Sequence, residues 1–349
     1  MIIQYYQGCS YGGIQLKEYS FPIIFMTDPI IDNKEFGIEH NDAEGNTRHT
    51  ANVIKESLEQ ICDNVTMLEN FEQLTMCLPK ITDDVILSTR YGLASPNSKA
   101  LIPAFCEMNH IRFIGADSYT HMICNDKYLS KEYLKEFGLS TAPAVIIRNA
   151  TDLQQMSLVS YLKFPVVIKP NYGGGSNGIS GDSLQYTLDG AQAYIKKLQN
   201  YQKQPILVEE YIPGYEVEVI LFGNRDRMLL QEEVQILIHN KAYFERELFD
   251  LDSKKKNENS STMVSSSLIP EDEKNRMVRL FQSFSKVEFM RIDCRIYNGH
   301  AYILELSPDC YLGNDGGVFL AFRNRGFTFT EMFSLMIKNA LEPEKLPNL

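Results

Sequence analysis

The chain has no excess of basic charge. Its 349 residues carry 34 Lys and Arg against 45 Asp and Glu, a formal net charge of −11. That balance argues against a nucleic-acid binder, which needs a basic face. It does not argue against ATP, because local donors and bound cations set the field at a site. No apolar run reaches membrane-spanning length, and Met1-Ile2-Ile3-Gln4 lacks the basic flank and apolar core of a secretory leader. The seven cysteines (Cys9, Cys62, Cys77, Cys106, Cys124, Cys294, Cys310) are scattered, odd in number and without a C-x-x-C. Reduced thiols, a cytoplasmic location and no zinc site are the expectation. There is no G-x-x-x-x-G-K-[ST] and no evident Cys–His pair, so neither a P-loop nor a side-chain nucleophile is expected. Internal repeats are also absent.

What is there has ordinary globular proportions, 44% hydrophobic and 23% charged. This length suits about two to three domains. The most informative stretch runs from Phe164 to Gly178. Val166-Val167-Ile168 reads as a buried strand that delivers Lys169 into a loop of four glycines and a serine. Glycines let backbone N–H groups crowd an anion, and the lysine adds a fixed charge beside them. Gly173, Gly175 and Gly178 formally satisfy G-x-G-x-x-G, but Lys169-Pro170 intervenes and Ser180-Gly181-Asp182-Ser183 is a poor helix start. A dinucleotide site needs strand, turn and helix in direct succession. A turn without ligand remains the other reading of the loop alone.

Strands are expected at 23–26, 85–87 and 111–114, with helices after Asn46-Thr47 and over 98–109, giving a parallel α/β unit at 1–122. A second unit, 123–208, begins with a helix capped by Asp126 and ended by Gly138. It continues through strands at 144–147 and 166–169, a weak helix near 151–162, a helix near 188–200 and an exit strand at 206–209. The third unit, 209–349, opens with Glu216–Phe222, its acidic groups on one face. Residues 239–267 read as a solvated loop. A helix over 271–286, strands at 290–296 and 301–306 joined by Asn298-Gly299, and a helix over 328–341 complete it. On those two strands Arg291 and Asp293 share a face, as do Glu305 and Ser307. Carboxylates among hydroxyl and arginine groups suit a hard cation with oxygen ligands; a solvated charged hairpin is the plainer alternative.

Four separated blocks resemble the ATP-grasp superfamily, and within it the D-alanine–D-alanine ligase type. They are Asn125-Asp126-Lys127 with Phe137–Pro143, Phe164–Gly178, Val208–Val217, and Arg291-Ile292-Asp293 with Glu305–Pro308. The resemblance implies an ATP-grasp fold, α/β (α+β) in class, with an N-terminal parallel-sheet pre-ATP-grasp domain. ATP would lie between the second and third units with magnesium, two ions by expectation and manganese as a substitute. Lys127 and Lys169 would contact the phosphates under a loop containing Gly174, Gly175 and Ser176. Glu209, Glu210, Tyr211 and Ile212 would lie beside adenine, and Glu216 would take the ribose hydroxyls. Lys254, with Lys255 and Lys256 as alternatives in register, resembles a mobile-loop lysine that reaches the phosphates. Arg291 would stabilise a tetrahedral intermediate, and Asp293, Glu305 and Ser307 would hold the metal.

Three departures stand out. Ser307 replaces an asparagine, Asp309–Gly317 replaces the glycine- and serine-rich acceptor segment, and no N-terminal acidic motif is recognisable. Arg90-Tyr91-Gly92 falls where the family has His-Gly. The expected activity is therefore an ATP-dependent carboxylate–amine ligase working through an acyl phosphate on small-molecule amino-acid-like substrates. The segment Asp309–Asp315 is expected to set the acceptor and to disfavour D-alanine. The alternatives are a genuine D-alanine–D-alanine ligase and a non-catalytic nucleotide-binding protein. Neither nucleic acid nor membrane is an expected partner, and a homodimer is left open.

Overall fold

The computed structural model describes residues 10–11, 14–15, 17–28, 47–90, 97–174, 178–249 and 261–346. Three larger sheets organise them. The first is four-stranded and wholly parallel, in the order Val65–Leu68, Ile23–Met26, Val85–Ser88, Arg112–Ile114. Ile23–Met26 is buried at every position, as suits a strand covered on both faces. The helix Arg48–Ile61 begins where the Thr47 side chain accepts from Thr50 N, and Ala51, Ile54 and Leu58 are fully buried along one stripe.

The second sheet is antiparallel, ordered Leu184–Gln185, Val166–Pro170, Ile206–Glu210, Ala144–Ile147. Its core is its own: Val166, Ile168, Ile206 and Val208 pack on Ile195 and Leu198 of the helix Leu188–Gln202. The expected strand at 206–209 is hydrogen-bonded on both sides, and from it the chain leaves for Gly214–Gly223 of the third sheet. Its residues 206–209 are all buried, which fits an inner strand.

The third sheet has seven strands, with Gly214–Gly223 flanked by Met228–Ile238 and Phe289–Tyr297, and His300–Ser307 beyond. Residues 239–267 are not simply solvated loop. Phe244 is fully buried in the short strand Tyr243–Phe244, and Ser261–Ser266 forms the sheet edge. The Asn298-Gly299 turn has positive φ at both residues, 51° and 77°, the geometry that matches strand twist in a tight hairpin.

The cores cross the sequence divisions. Ile123, Cys124, Leu134 and Leu139 join the apolar cluster of the third sheet, and Ser140–Thr141 pairs parallel with His300–Ser307. Phe25 of the first sheet and Ile54 and Leu58 of the helix beside it share a cluster with Phe222, Phe322, Phe333 and Met336. The C-terminal helices Gly317–Asn324 and Phe329–Leu341 thus help join the first sheet to the third.

Gly214 fixes where the central strand of the third sheet begins. Its φ is +137°, and an added Cβ would lie 2.0 Å from the Ile296 carbonyl oxygen on the neighbouring strand. Gly214→Ala is expected to cost ~3 kcal/mol, by backbone strain compounded by that clash. Urea unfolding monitored by circular dichroism measures it; a loss below ~0.5 kcal/mol would show that the strand start tolerates a side chain.

Candidate functional site

The block Asn125-Asp126-Lys127 works as a clasp for the start of the glycine loop. Asp126 caps the helix Lys127–Lys135, its carboxylate accepting from Leu129 N at 2.9 Å and from Asn171 Nδ2 at 2.8 Å. Asn171 Oδ1 accepts from Tyr128 N at 2.9 Å, and Asn125 Oδ1 from Gly173 N at 3.0 Å. The helix start and the loop start are therefore fixed to each other. Lys127 projects from this joint, donates to the Gly173 carbonyl, and lies 3.1 Å from Glu305 Oε1.

Lys169 and Glu209 face each other across adjacent strands, with Nζ 2.5 Å from Oε1. The other carboxylate oxygen of Glu209 is 2.7 Å from Lys131 Nζ. All three side chains are buried, so two lysines share one carboxylate. Burial alone would raise the Glu209 pKa, but Lys131 and Lys169 outweigh it and hold the carboxyl at about 2, below its ordinary 4.5. Burial meanwhile lowers the pKa of Lys131, with Glu209 opposing. The geometry favours a charged carboxylate, because two cations flank it.

Glu209 therefore stands between two lysines, where an adenine-facing position had been expected. It still lines a cleft together with Lys169, Glu210, Tyr211, Ile212 and Glu216. Arg295 lines the same cleft and was not singled out from sequence. It donates to Tyr211 Oη and to the Ile212 carbonyl, each at 3.1 Å, and to Glu216. Its guanidinium lies 5.4 Å from the Tyr211 ring centre and 5.0 Å from that of Phe244. Tyr211 in turn donates to the Glu247 carbonyl at 3.0 Å.

At the other end of the site the strand register does what the hairpin reading required. Arg291 lies opposite Ser307, and Asp293 opposite Glu305. Glu218, on the next strand, lies opposite Asp293, so three carboxylates form a row across three strands. Arg291 grips Asp293 with Nε–Oδ1 at 2.6 Å and Nη2–Oδ2 at 2.8 Å, and its Nε is 3.6 Å from Glu218 Oε1. Burial would raise the Glu305 pKa, but Lys127, Lys99 and Lys169 hold it below its ordinary value. Oxygen donors of this kind fit a hard divalent cation. In this arrangement, however, Asp293 is engaged by Arg291 and Glu305 by Lys127. Among the described residues no group of three or more His, Cys, Asp or Glu is placed to hold a metal ion.

Gly174 is buried at the loop start. Gly175, Ser176 and Lys254 lie outside the described residues, as do Tyr91 and Gly92. Sequence reasoning passed over Lys131 and Glu218 as well as Arg295. Lys131 follows Lys127 by four positions and so shares its helix face, and Glu218 shares a strand face with Glu216; those spacings were the available signals. Among the described residues no helix is long and apolar enough to cross a membrane.

The chain is similar to several known proteins. The family model described as "D-ala D-ala ligase C-terminus" matches residues 133–338. The D-alanine–D-alanine ligase of Wigglesworthia glossinidia brevipalpis is 27% identical over 271 residues, spanning 76% of this chain and 69% of that protein. The vancomycin/teicoplanin A-type resistance protein VanA of Enterococcus faecium is 28% identical over 263 residues, spanning 74% and 68%. In fold, the chain is similar to the D-alanine–D-alanine ligase of Bacillus anthracis solved with ATP, with a TM-score of 0.69 at 18% identity over 93% of this chain and 98% of that one. The VanG D-Ala:D-Ser ligase of Enterococcus faecalis gives 0.68 at 14% identity over 92% and 100%.

The charge-sharing at Glu209 predicts a pH dependence. A carboxyl whose pKa is lowered on folding contributes stability that is complete above its unfolded value and is lost as pH falls through the folded one. The contribution of Glu209 should be full above about pH 4.5 and decline towards pH 2. Urea unfolding of wild type and Glu209→Gln should show a stability gap at pH 7 that narrows steadily below pH 4.5. A gap that does not change with pH would mean that the lysines do not hold the carboxylate.

Proposed function

The chain belongs to the D-alanine–D-alanine ligase family and is an ATP-grasp ligase, and on that premise we propose that it joins two D-amino acids into a dipeptide, with D-alanine as one of them. The altered segment Asp309–Gly317 speaks against D-alanine as acceptor, whereas the D-alanine–D-alanine ligases among the named relatives favour it. The proposal follows the relatives for the class of reaction.

One observation carries the reading. Lys127 touches the glycine loop at Gly173 and the hairpin at Glu305, so the phosphate side and the carboxylate side of the cleft meet at one cation. A polyphosphate would extend from the cleft beside Glu210–Ile212, past Lys169 and Lys131, to Lys127. Glu216, held by Arg295, would take the ribose hydroxyls.

In the first step a substrate carboxylate attacks the γ-phosphorus, the bond to ADP breaks, and an acyl phosphate forms. The lysines stabilise charge as it moves, which is the main work of phosphoryl transfer. In the second step an amine attacks the acyl carbon, loses a proton, and phosphate leaves. Arg291, already oriented by Asp293 and Glu218, would face the tetrahedral oxyanion. Magnesium, held by Asp293 and Glu305 with Ser307 beside them, would supply charge neutralisation at the phosphates. For Asp293 to serve, Arg291 must exchange its carboxylate partner for the substrate.

The direct test is D-alanine with magnesium-ATP, read by ADP release and by mass spectrometry of the product. D-alanyl-D-alanine or another D-alanine-containing dipeptide is the expected result. ATP turnover with no amino-acid product under any pairing would remove the ligase reading.

Two substitutions test the site. Lys169→Met leaves Glu209 paired one-to-one with Lys131, so the fold should survive. Loss of a transition-state charge contact should then lower kcat by ~100-fold or more; turnover within threefold of wild type would exclude Lys169 from the phosphate site. Asp293→Asn should raise the magnesium concentration needed for half-maximal rate by about tenfold or more, because an amide is a poorer ligand for a hard cation. An unchanged magnesium titration would move the metal elsewhere.

A further inference from the structure

The segment Asp309–Gly317 borders Arg291 at both of its ends, and between them it is tied to the helix Arg48–Ile61 beside the first sheet. It follows Ser307-Pro308 directly. At its start, the charge of Arg291 reaches the Cys310 thiol. At its end, the Glu218 carboxylate lies against Gly317, where an added Cβ would overlap it. Glu218 Oε1 is in turn 3.6 Å from Arg291 Nε.

Burial sets the depth of the segment. Cys310 and Leu312 are buried in the cluster that contains Ile54 and Leu58 of the helix, but apolar burial is not directional. Direction comes from Tyr311. Its Oη donates to Asp315 Oδ1 at 2.9 Å and lies 3.0 Å from Thr50 Oγ1. A phenol has one proton to give, so with that proton on Asp315 the Thr50 hydroxyl must donate to Tyr311. Thr50 Oγ1 is then left to accept from Thr47 Oγ1, 2.9 Å away, while Thr47 Oγ1 accepts from Thr50 N at 3.1 Å as the helix cap. One directed chain of hydroxyls therefore runs from the helix start to Asp315. The segment also closes tightly around the tyrosine ring. A Cβ at Gly313 would overlap its Cζ and Oη, and one at Gly316 would lie 2.7 Å from its Cδ1. Asp309 adds a second tie, with Oδ2 2.6 Å from Lys99 Nζ.

We propose that Tyr311 is a positioning residue for the second step: by pinning the segment to Thr50, it places the incoming amine at the acyl carbon beside Arg291. The proposal rests on the ligase reading above and adds what orients the acceptor. None of Thr47, Thr50, Tyr311 and Asp315 lines the nucleotide cleft, so loosening the chain should leave acyl phosphate formation in place. An acyl phosphate that the amine fails to meet is hydrolysed instead. Water attacks the acyl carbon and gives up a proton, phosphate leaves, and the starting carboxylate returns. A misplacement of ~1 Å is enough to cost such a step about 100-fold. The signature of a loosened segment is therefore uncoupling, with ADP released and no dipeptide made.

The test measures dipeptide formed per ADP released. Full-length protein receives magnesium-ATP, D-alanine and a pool of neutral D-amino acids, with ADP followed by a coupled assay and dipeptides by mass spectrometry. Wild type should form the two in equal amounts. In Tyr311→Phe, which keeps the ring and removes both hydrogen bonds, the ratio should fall by about tenfold or more, with the KM for ATP and the melting temperature close to wild type. Thr50→Val cuts the chain from the helix while the Tyr311–Asp315 bond stays, and should lower the ratio less. Thr50→Ser keeps the hydroxyl and should hold the wild-type ratio. A loss of folded protein lowers ADP and dipeptide together and leaves their ratio alone, so should Tyr311→Phe fold poorly, Thr50→Val against Thr50→Ser decides. A wild-type ratio in Tyr311→Phe, or one that Thr50→Val and Thr50→Ser lower equally, would overturn the positioning role while leaving the ligase reading in place. Absence of dipeptide from wild type with every pairing would overturn the ligase reading and the positioning role together.

Discussion

Two buried lysines on one carboxylate form the joint on which the site depends. Glu209 lies on an inner strand of the second sheet and Lys169 on its neighbour. Lys131 comes from a different body: its helix contributes Leu134 to the core of the third sheet. The ion triad therefore crosses from one core to another. Two apolar cores can meet in many relative positions, because burial is not directional. A lysine that must place Nζ 2.7 Å from a buried oxygen permits few. The cost of desolvating three charges is offset by their mutual attraction only while that geometry holds, so the triad acts as a register pin between the units that form the cleft.

The hairpin imposes the second constraint. Its tight turn fixes which residues stand opposite each other, and a one-residue slip would turn Asp293 and Glu305 to the other face. The register is not uniform, since a bulge falls between Asp293 and Cys294. Bulges re-aim side chains and often lie beside active sites. Here the irregularity comes just after the paired carboxylates, separating the functional end of the hairpin from the plain ladder that runs to the turn. Glu218 joins the row from the far side because Gly214–Gly223 pairs in register with the same strand.

Much of this was legible in the sequence because it rests on local rules. The helix after Asn46-Thr47, the Asp126 cap, the Gly138 terminator and the Asn298-Gly299 turn depend on near neighbours; in the structure Thr47 and Asp126 cap their helices, and Gly138, Asn298 and Gly299 all have positive φ. Shared faces on the hairpin followed from the two-residue period of a strand. What escaped was decided at a distance. The eleven-residue strand Met228–Ile238 contains Gln231-Glu232-Glu233, which spoils its apolar pattern. Glu233 is nevertheless buried, because it accepts from Leu268 N at 2.7 Å and pairs with Lys274 at 2.7 Å. The helix Ser118–Asn125 has mostly poor formers, and Gly317–Asn324 starts on a glycine; both bury several side chains. In the site, Lys169 was visible as a strand-end lysine, whereas Lys131 looked like an ordinary helix lysine until the fold brought Glu209 to it. Arg295 looked like one more charge on a hairpin until Tyr211, Ile212 and Glu216 closed around it.

Charge along the cleft has a direction that the net charge conceals. At the glycine-loop end Lys131 and Lys169 outnumber Glu209, leaving an excess of positive charge among buried groups. At the hairpin end carboxylates gather instead, Glu218, Asp293 and Glu305, with Arg291 and Lys127 among the cations beside them. Charge of one sign gathered in a low-dielectric setting is expensive. A ligand that is anionic at one end and carries a cation at the other corrects both at once, which is the charge distribution of a magnesium-bound polyphosphate in the proposed reading. Nicotinamide dinucleotides carry no resident cation, so they would relieve the first end and leave the second. Chain-wide acidity says nothing about this choice, because the site's field is set by a handful of buried groups whose signs alternate along a few strands.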